Sequence, residues 1–230
     1  MLMIILRGGN SQITSLLQGS NLTISNAPNT PRIRFKGFTE PWEKVAIKER
    51  VKFGKGRGYS KNDLCDNGEP IILYGVMYTD YITNITRVSR YAKLKDNSLL
   101  SRGNEVIVPA SGETAEDIAR ASAVLCKNIV LGGDLNVLYP DDKIAPSFLA
   151  LELTYGQSHS KLVKKAQGIS VVHLHNSDIE DLIILVPSKK EQQMIGDFFR
   201  EQDEQINAAQ QQIKKLTIIK QALLQKMFAA

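Results

Sequence analysis

Cysteine is scarce in this chain: two in 230 residues, Cys65 and Cys126, far apart and without a CxxC spacing. That excludes a disulfide framework and a cysteine-built zinc site, and it suits a reducing cytoplasm. Of the three histidines, only His173 and His175 are near neighbours, two apart on an apparent strand. A metal site would need further ligands, and none is evident, so they read as a packed or surface pair. Long hydrophobic runs are missing too. MLMIIL opens the chain but stops at Arg7 and Gly8, too short to span a bilayer and without a small-residue cleavage signal. No membrane partner is expected. Absent also are the GxxxxGK[ST] phosphate loop, a GxGxxG after a strand, and a GxSxG elbow that would support Ser111 as a nucleophile. GKGRG at 54–58 lacks the spacing that aims helix amides at a phosphate. One enzyme reading survives these absences. Asp134, Asp141 and Lys143 resemble the acid-plus-DxK pattern of metal-dependent nucleases, although YPDDKIAP is equally a turn between strands.

Proline and glycine are also nearly absent beyond Pro187, where only Gly196 remains, and what fills that space is a heptad pattern. Ile195, Phe199, Ile206, Ala209, Ile213, Leu216, Leu223 and Met227 recur at alternating spacings of four and three. Only Gln202 and Lys220 interrupt the seam. The spacing predicts one coiled-coil helix, roughly 60 Å long at ~1.5 Å per residue, and such a stripe needs a partner helix. Two copies set antiparallel about Gln211 match seam to seam. Ile195 then faces Met227, Phe199 faces Leu223, Ile206 faces Leu216, Ala209 faces Ile213, and Gln202 faces Lys220. Acids Glu191, Asp197, Glu201, Asp203 and Glu204 fill the first half, and Lys214, Lys215, Lys220 and Lys226 the second, so the same pairing sets acid against base. The charges also complement the helix macrodipole.

Upstream, a 43% hydrophobic composition allows one globular domain plus this appendage. The division is residues 1–30 as a flexible leader rich in Ser, Asn, Gln and Thr, 31–187 as the domain, and 188–230 as the helix. Strands are expected at 69–75, 81–88, 104–110, 136–139, 170–174 and 182–186. Helices are expected over 111–122, after a turn, and from Pro146. The fold class is therefore α/β, a globular mixed-sheet domain followed by one long coiled-coil helix.

A net charge of +5 makes a polyanionic partner reasonable. Lys55, Arg57, Tyr59 and Lys61 cluster in a Gly-rich loop. Tyr74, Tyr78, Tyr81, Thr83 and Arg87 follow the IILYG strand, and Lys161, Lys164, Lys165 and Gln167 form a second basic run. Cations neutralise phosphates, while Tyr, Thr, Gln and Arg can hydrogen-bond to base edges. Solvated surface charge is the bland alternative.

The order PRIRFKGF…W, GxGYS, EPIILYG, VIVPASGET, AQG, LVPSxxEQxxI and LxxxKQALLQKMF resembles the specificity (S) subunit of type I restriction-modification enzymes, over residues 31–230. The most specific parts are Pro187, Glu191, Gln192 and Ile195 together with KQALLQKMF. The resemblance implies a target recognition domain that reads one half of a split double-stranded DNA site. It implies a helix that acts as spacer and binds DNA methyltransferase (M) subunits, with restriction (R) subunits in the same complex. Family members carry two domain–helix units with antiparallel helices. This chain has one, which fits a half-subunit that rebuilds the whole as an antiparallel homodimer. Catalysis would then belong to partner chains, with S-adenosylmethionine and ATP bound there and no cofactor or catalytic residue here. The lack of a (D/N)PP(Y/F) motif agrees. The competing readings are a stand-alone nuclease and a coiled-coil scaffold that does not bind DNA.

Overall fold

The computed structural model describes residues 20–25, 28–166 and 171–228. Its centre is a five-stranded sheet in the spatial order Val51–Lys55, Leu135–Pro140, Glu105–Pro109, Ser122–Val124, Asn84–Ile85. All neighbours are antiparallel except the last pair, which is parallel. The middle strand is buried along its whole length, and its pleat divides it between two cores. Val106 and Val108 face a cluster with Phe148, Leu149 and Leu153 of the helix Pro146–Tyr155, whereas Ile107 faces a cluster with Ile72, Leu131 and Val137. Side chains alternate across a strand, so an unbroken apolar run is what a strand covered on both faces requires.

The second cover is another five-stranded sheet, ordered Leu64–Cys65, Tyr91–Ala92, Glu69–Ile72, Lys127–Leu131, Leu100–Arg102. The domain is thus a helical layer, a central sheet and a second sheet, in agreement with the expected α/β class. Glu43–Ala46 pairs with Ile183–Val186 and ties the start of the domain to its end.

Several boundaries differ from those expected. Leu22–Ile24, inside the stretch read as a leader, is a strand paired with Ile33–Phe35. Its polar surroundings concealed a short β ribbon held by backbone bonds. Residues 1–19 and 26–27 lie outside the described residues. The segment 81–88 is a strand only at Asn84–Ile85, preceded by a single helical turn at Val76–Thr79. The basic run 161–165 belongs to a helix, His159–Lys165, anchored by buried Leu162.

The long helix spans Lys189–Phe228, close to the predicted limits. Ser188 caps its start, accepting the Glu191 N–H at 3.4 Å on its hydroxyl and the Gln192 N–H at 3.0 Å on its carbonyl. Glu191 and Gln192 are fully buried there. Arg34 donates twice to Glu191, at 2.7 and 2.9 Å. Gln192 accepts from Ala145 N at 2.7 Å and donates to the carbonyls of Lys143 and Pro187 at 3.0 and 2.9 Å. Gly196 lets the helix press on its neighbour, since a Cβ there would meet Ser147 Cβ at 2.8 Å.

Candidate nucleic-acid interface

The Gly-rich loop hangs between the two sheets. Gly56 N–H donates to Leu135 O and Arg57 N–H to Leu131 O, at 2.9 and 3.0 Å. A Cβ at residue 56 would lie 1.8 Å from the Gly132 carbonyl oxygen, so only glycine fits this approach. With its backbone fixed, the loop turns Lys55, Arg57 and Lys61 out to solvent. Ser60 closes it with a capping box that begins the turn Lys61–Asp63.

Tyr59 does not join them. It is a core residue whose hydroxyl contacts Ser98 Oγ at 2.5 Å and Lys93 O at 3.3 Å, and accepts Lys95 N–H at 2.8 Å. The Lys95 ammonium lies 4.6 Å from its ring centroid. The same ammonium donates to Gly58 O at 2.9 Å and to Asp63 at 2.5 Å. The bond from Lys95 first, then that from the Ser60 backbone N–H, holds the Asp63 carboxyl below its usual range. Lys93 and Lys95 thereby extend the basic edge of the loop. Sequence reasoning missed them, although RYAKLK carries their signal in cations alternating with apolar residues.

The second segment divides. Tyr74 and Tyr78 stack edge to face, with centroids 6.1 Å apart, and the Tyr78 hydroxyl donates to Ser111 O. Burial first, then the neighbouring Tyr74, pushes that hydroxyl's pKa upward. Thr83 is buried, and Tyr81 is half-buried with its hydroxyl 3.0 Å from Ala121 O. Both serve the fold, contrary to expectation, because their hydroxyls are spent inside. Arg87 is exposed. In the third segment Lys161 and Lys164 are exposed, Lys165 pairs with Asp181 at 3.7 Å, and Gln167 lies outside the described residues.

A cavity of about 510 Å³ joins the first two segments. Lys61, Tyr74 and Tyr78 line it together with Thr79, Ser111, Glu113, Asp117 and Val171. It offers aromatic faces, one cation and acceptor carboxylates, the groups that read base edges and stack on bases. Ser111 and His173 are partners across a two-stranded pairing, which places Ser111 Oγ 3.3 Å from His173 Nδ1.

The nuclease reading fails on geometry. Asp134 and Asp141 flank opposite ends of the strand Leu135–Pro140, roughly 23 Å apart at ~3.3 Å per residue, and cannot share an ion. Asp141 instead pairs with Arg50 at 3.5 Å and accepts the Lys143 N–H at 3.0 Å, as a turn requires. Among the described residues no group of three His, Cys, Asp or Glu is placed to hold a metal, and no helix is long and apolar enough to cross a membrane.

On the helix, Ile195 is half-buried against the domain core. Phe199, Ile206, Ala209, Ile213, Leu216, Lys220, Leu223 and Met227 are exposed, and Gln202 is intermediate. Ile218, Ile219, Leu224 and Phe228 are exposed outside the seam, an apolar excess that the heptad reading left out.

A family model described as type I restriction modification DNA specificity domain matches residues 39–217. No match was found among curated proteins. Among solved structures, the chain is similar to the S subunit of a type I restriction-modification system from M. genitalium. Identity there is 18% and TM-score 0.59, covering 90% of this chain and 48% of that one. It is similar also to the HsdS subunit from Thermoanaerobacter tengcongensis, at 17% identity and TM-score 0.52, covering 97% and 52%. A third match comes from a study of complex assembly in the type I R-M system, at 16% identity and TM-score 0.52, covering 84% and 45%. The chain spans about half the length of the solved relatives it matches.

Proposed function

We propose, from the premise that this chain belongs to the type I restriction-modification DNA specificity domain family, that it reads one half of a split duplex site and directs methyltransferase and restriction subunits there. The observation that carries this reading is the basic edge of Lys55, Arg57, Lys61, Lys93 and Lys95 beside a tyrosine-lined cavity. That edge sits on a domain fixed to the long helix through Arg34–Glu191. Cations on a shaped surface give phosphate affinity, and the cavity supplies groups for base edges. The chain is an adaptor, with methylation and cleavage on partner subunits and their cofactors there.

Two copies pair along the long helix in the antiparallel register about Gln211, which places one reading domain at each end. Exposed apolar seam residues favour this pairing over a helix destined for solvent.

The test combines salt-dependent retardation of duplex DNA with mapping of methylated adenines in the host, with and without this gene. Affinity that falls steeply with salt and a motif that vanishes with the gene support the reading. A pure scaffold would show neither. DNA cutting by the purified protein with magnesium would return the reading to a nuclease.

A further inference from the structure

We infer that Glu113 selects a cytosine in the half-site by accepting a hydrogen bond from its exocyclic amine in the major groove, with Lys61 meeting the guanine paired to it. The inference rests on the DNA-reading function proposed above and names what one residue of that face reads. Three charged side chains line the tyrosine-walled cavity: Lys61, Glu113 and Asp117. Asp117 is occupied within the protein. It accepts the Thr114 hydroxyl at 2.8 Å and pairs with Arg120 at 2.9 Å. The Tyr78 hydroxyl is spent on Ser111 O, and that of Thr79 on Gly75 O at 3.3 Å. Lys61 and Glu113 are exposed and have no partner among the described residues. The Lys61 stem lies along the cavity wall, where a Cβ at residue 75 would meet its Cε at 3.9 Å.

Glu113 is pinned on both sides. Before it, Ser111 and Gly112 pair with His173 and Val172. A Cβ at residue 112 would lie 2.8 Å from the Tyr78 hydroxyl oxygen, so this ribbon is pressed onto the tyrosine. After it, Thr114 caps the turn Ala115–Ile118 by accepting the Asp117 N–H at 3.1 Å. A carboxylate fixed in this way beside a duplex is repelled by the phosphates, and only a base donor offsets that repulsion. The donors of the major groove are the amines of cytosine and adenine. Adenine sets its N7 acceptor beside the amine, against the second carboxylate oxygen, whereas cytosine has a carbon-bound hydrogen on its outer side. The guanine across the pair presents O6 and N7, two acceptors that suit an ammonium. One anion and one cation at a single pocket therefore fit a G·C pair better than an A·T pair.

The test maps methylated adenines in the host carrying the whole system, with the wild-type chain, Glu113→Ala, Glu113→Gln and, as a control, Glu116→Ala. Glu116 is exposed on the adjoining turn and does not line the cavity. The wild-type motif should hold a cytosine at a position that Glu113→Ala alone relaxes. Glu113→Gln should shift that position toward adenine, which a glutamine side chain reads at N6 and N7, and Glu116→Ala should leave the motif as it is. In retardation with the purified full chain, Glu113→Ala should bind the cognate duplex at least about tenfold more weakly. It should bind a random duplex no more weakly than wild type, because a charge that repels phosphates has gone. An unchanged motif in Glu113→Ala, or an equal change in affinity for cognate and random duplex, would overturn the assignment and leave the DNA-reading function standing. A methylation pattern indifferent to the gene would overturn both.

Discussion

Glu191 and Glu105 are acids with no access to water, and the fold keeps each by a different means. Glu191 meets the Arg34 guanidinium in a two-pronged bond. Glu105 accepts the backbone N–H groups of Arg102, Gly103 and Asn104 at 2.6, 3.0 and 3.2 Å. Removing one partner of a buried pair strands the other charge, at a cost of about 3–5 kcal/mol. Glu191→Gln should therefore lower the denaturation midpoint sharply in a urea titration, while Arg34→Met with Glu191→Leu should recover much of the loss. Glu152 behaves differently, since burial holds its carboxyl above the ordinary range. A carboxyl with a raised folded pKa binds its proton more tightly when folded. Stability therefore grows as pH falls through that folded value and is lost as pH rises through it. Glu152→Gln should flatten the dependence of melting temperature on pH between neutrality and the ordinary carboxylate range. At this scale the sequence separated poorly. Arg57 and Tyr59 stand in one loop, yet one faces solvent and the other the core. Only the turn that brings Lys93, Lys95 and Ser98 onto Tyr59 decides which is which. Replacing Arg57 by Ala should penalise the cognate duplex selectively, by roughly 1–3 kcal/mol if a bidentate base contact is lost. Lys164→Ala should weaken all duplexes alike and lower the salt slope by about one.

At the scale of elements, legibility followed length and locality. The helix Lys189–Phe228 could be read because its period repeats many times and its start is marked by Pro187 and Ser188. The strand at Glu105–Pro109 announced itself as an apolar run. Of the second sheet's five strands only Glu69–Ile72 was expected. Ser122–Val124 of the central sheet and Lys127–Leu131 of the second went unread, because they are short, parted by two residues, and ASAVLCKNIVL carries no turn signal between them. The helix His159–Lys165 buries too few side chains to display a period. For the long helix, Asp at both Ile206 and Ile213 would put unpaired charge into an apolar seam. That variant should be monomeric by light scattering at micromolar concentration, where the proposed pairing makes the wild type dimeric. A wild type already monomeric, or one with parallel helices in a cross-linking map, would end the antiparallel reading.

For the whole molecule, symmetry dictates what the pair can read. Two identical domains related by a two-fold axis see identical half-sites, so the methylation motif of this subunit alone should be an interrupted palindrome. An asymmetric motif in single-molecule sequencing would contradict it. Deleting one heptad from the middle of the helix keeps the seam in phase and shortens it by about 10 Å. At ~3.4 Å per base pair, the preferred gap should shrink by about three base pairs.

The pairing of Glu43–Ala46 with Ile183–Val186 has a consequence for inheritance. The chain enters and leaves the reading domain through neighbouring strands of one small ribbon. Everything between them is a closed loop of polypeptide hung from a fixed doorway. A recombination that exchanged residues 47–182 for those of a different reader would leave doorway and helix untouched. Specificity would then change in a single genetic event while the helix seam stayed constant, provided the new reader kept the contacts that Ala145 and Ser147 make with Gln192 and Gly196.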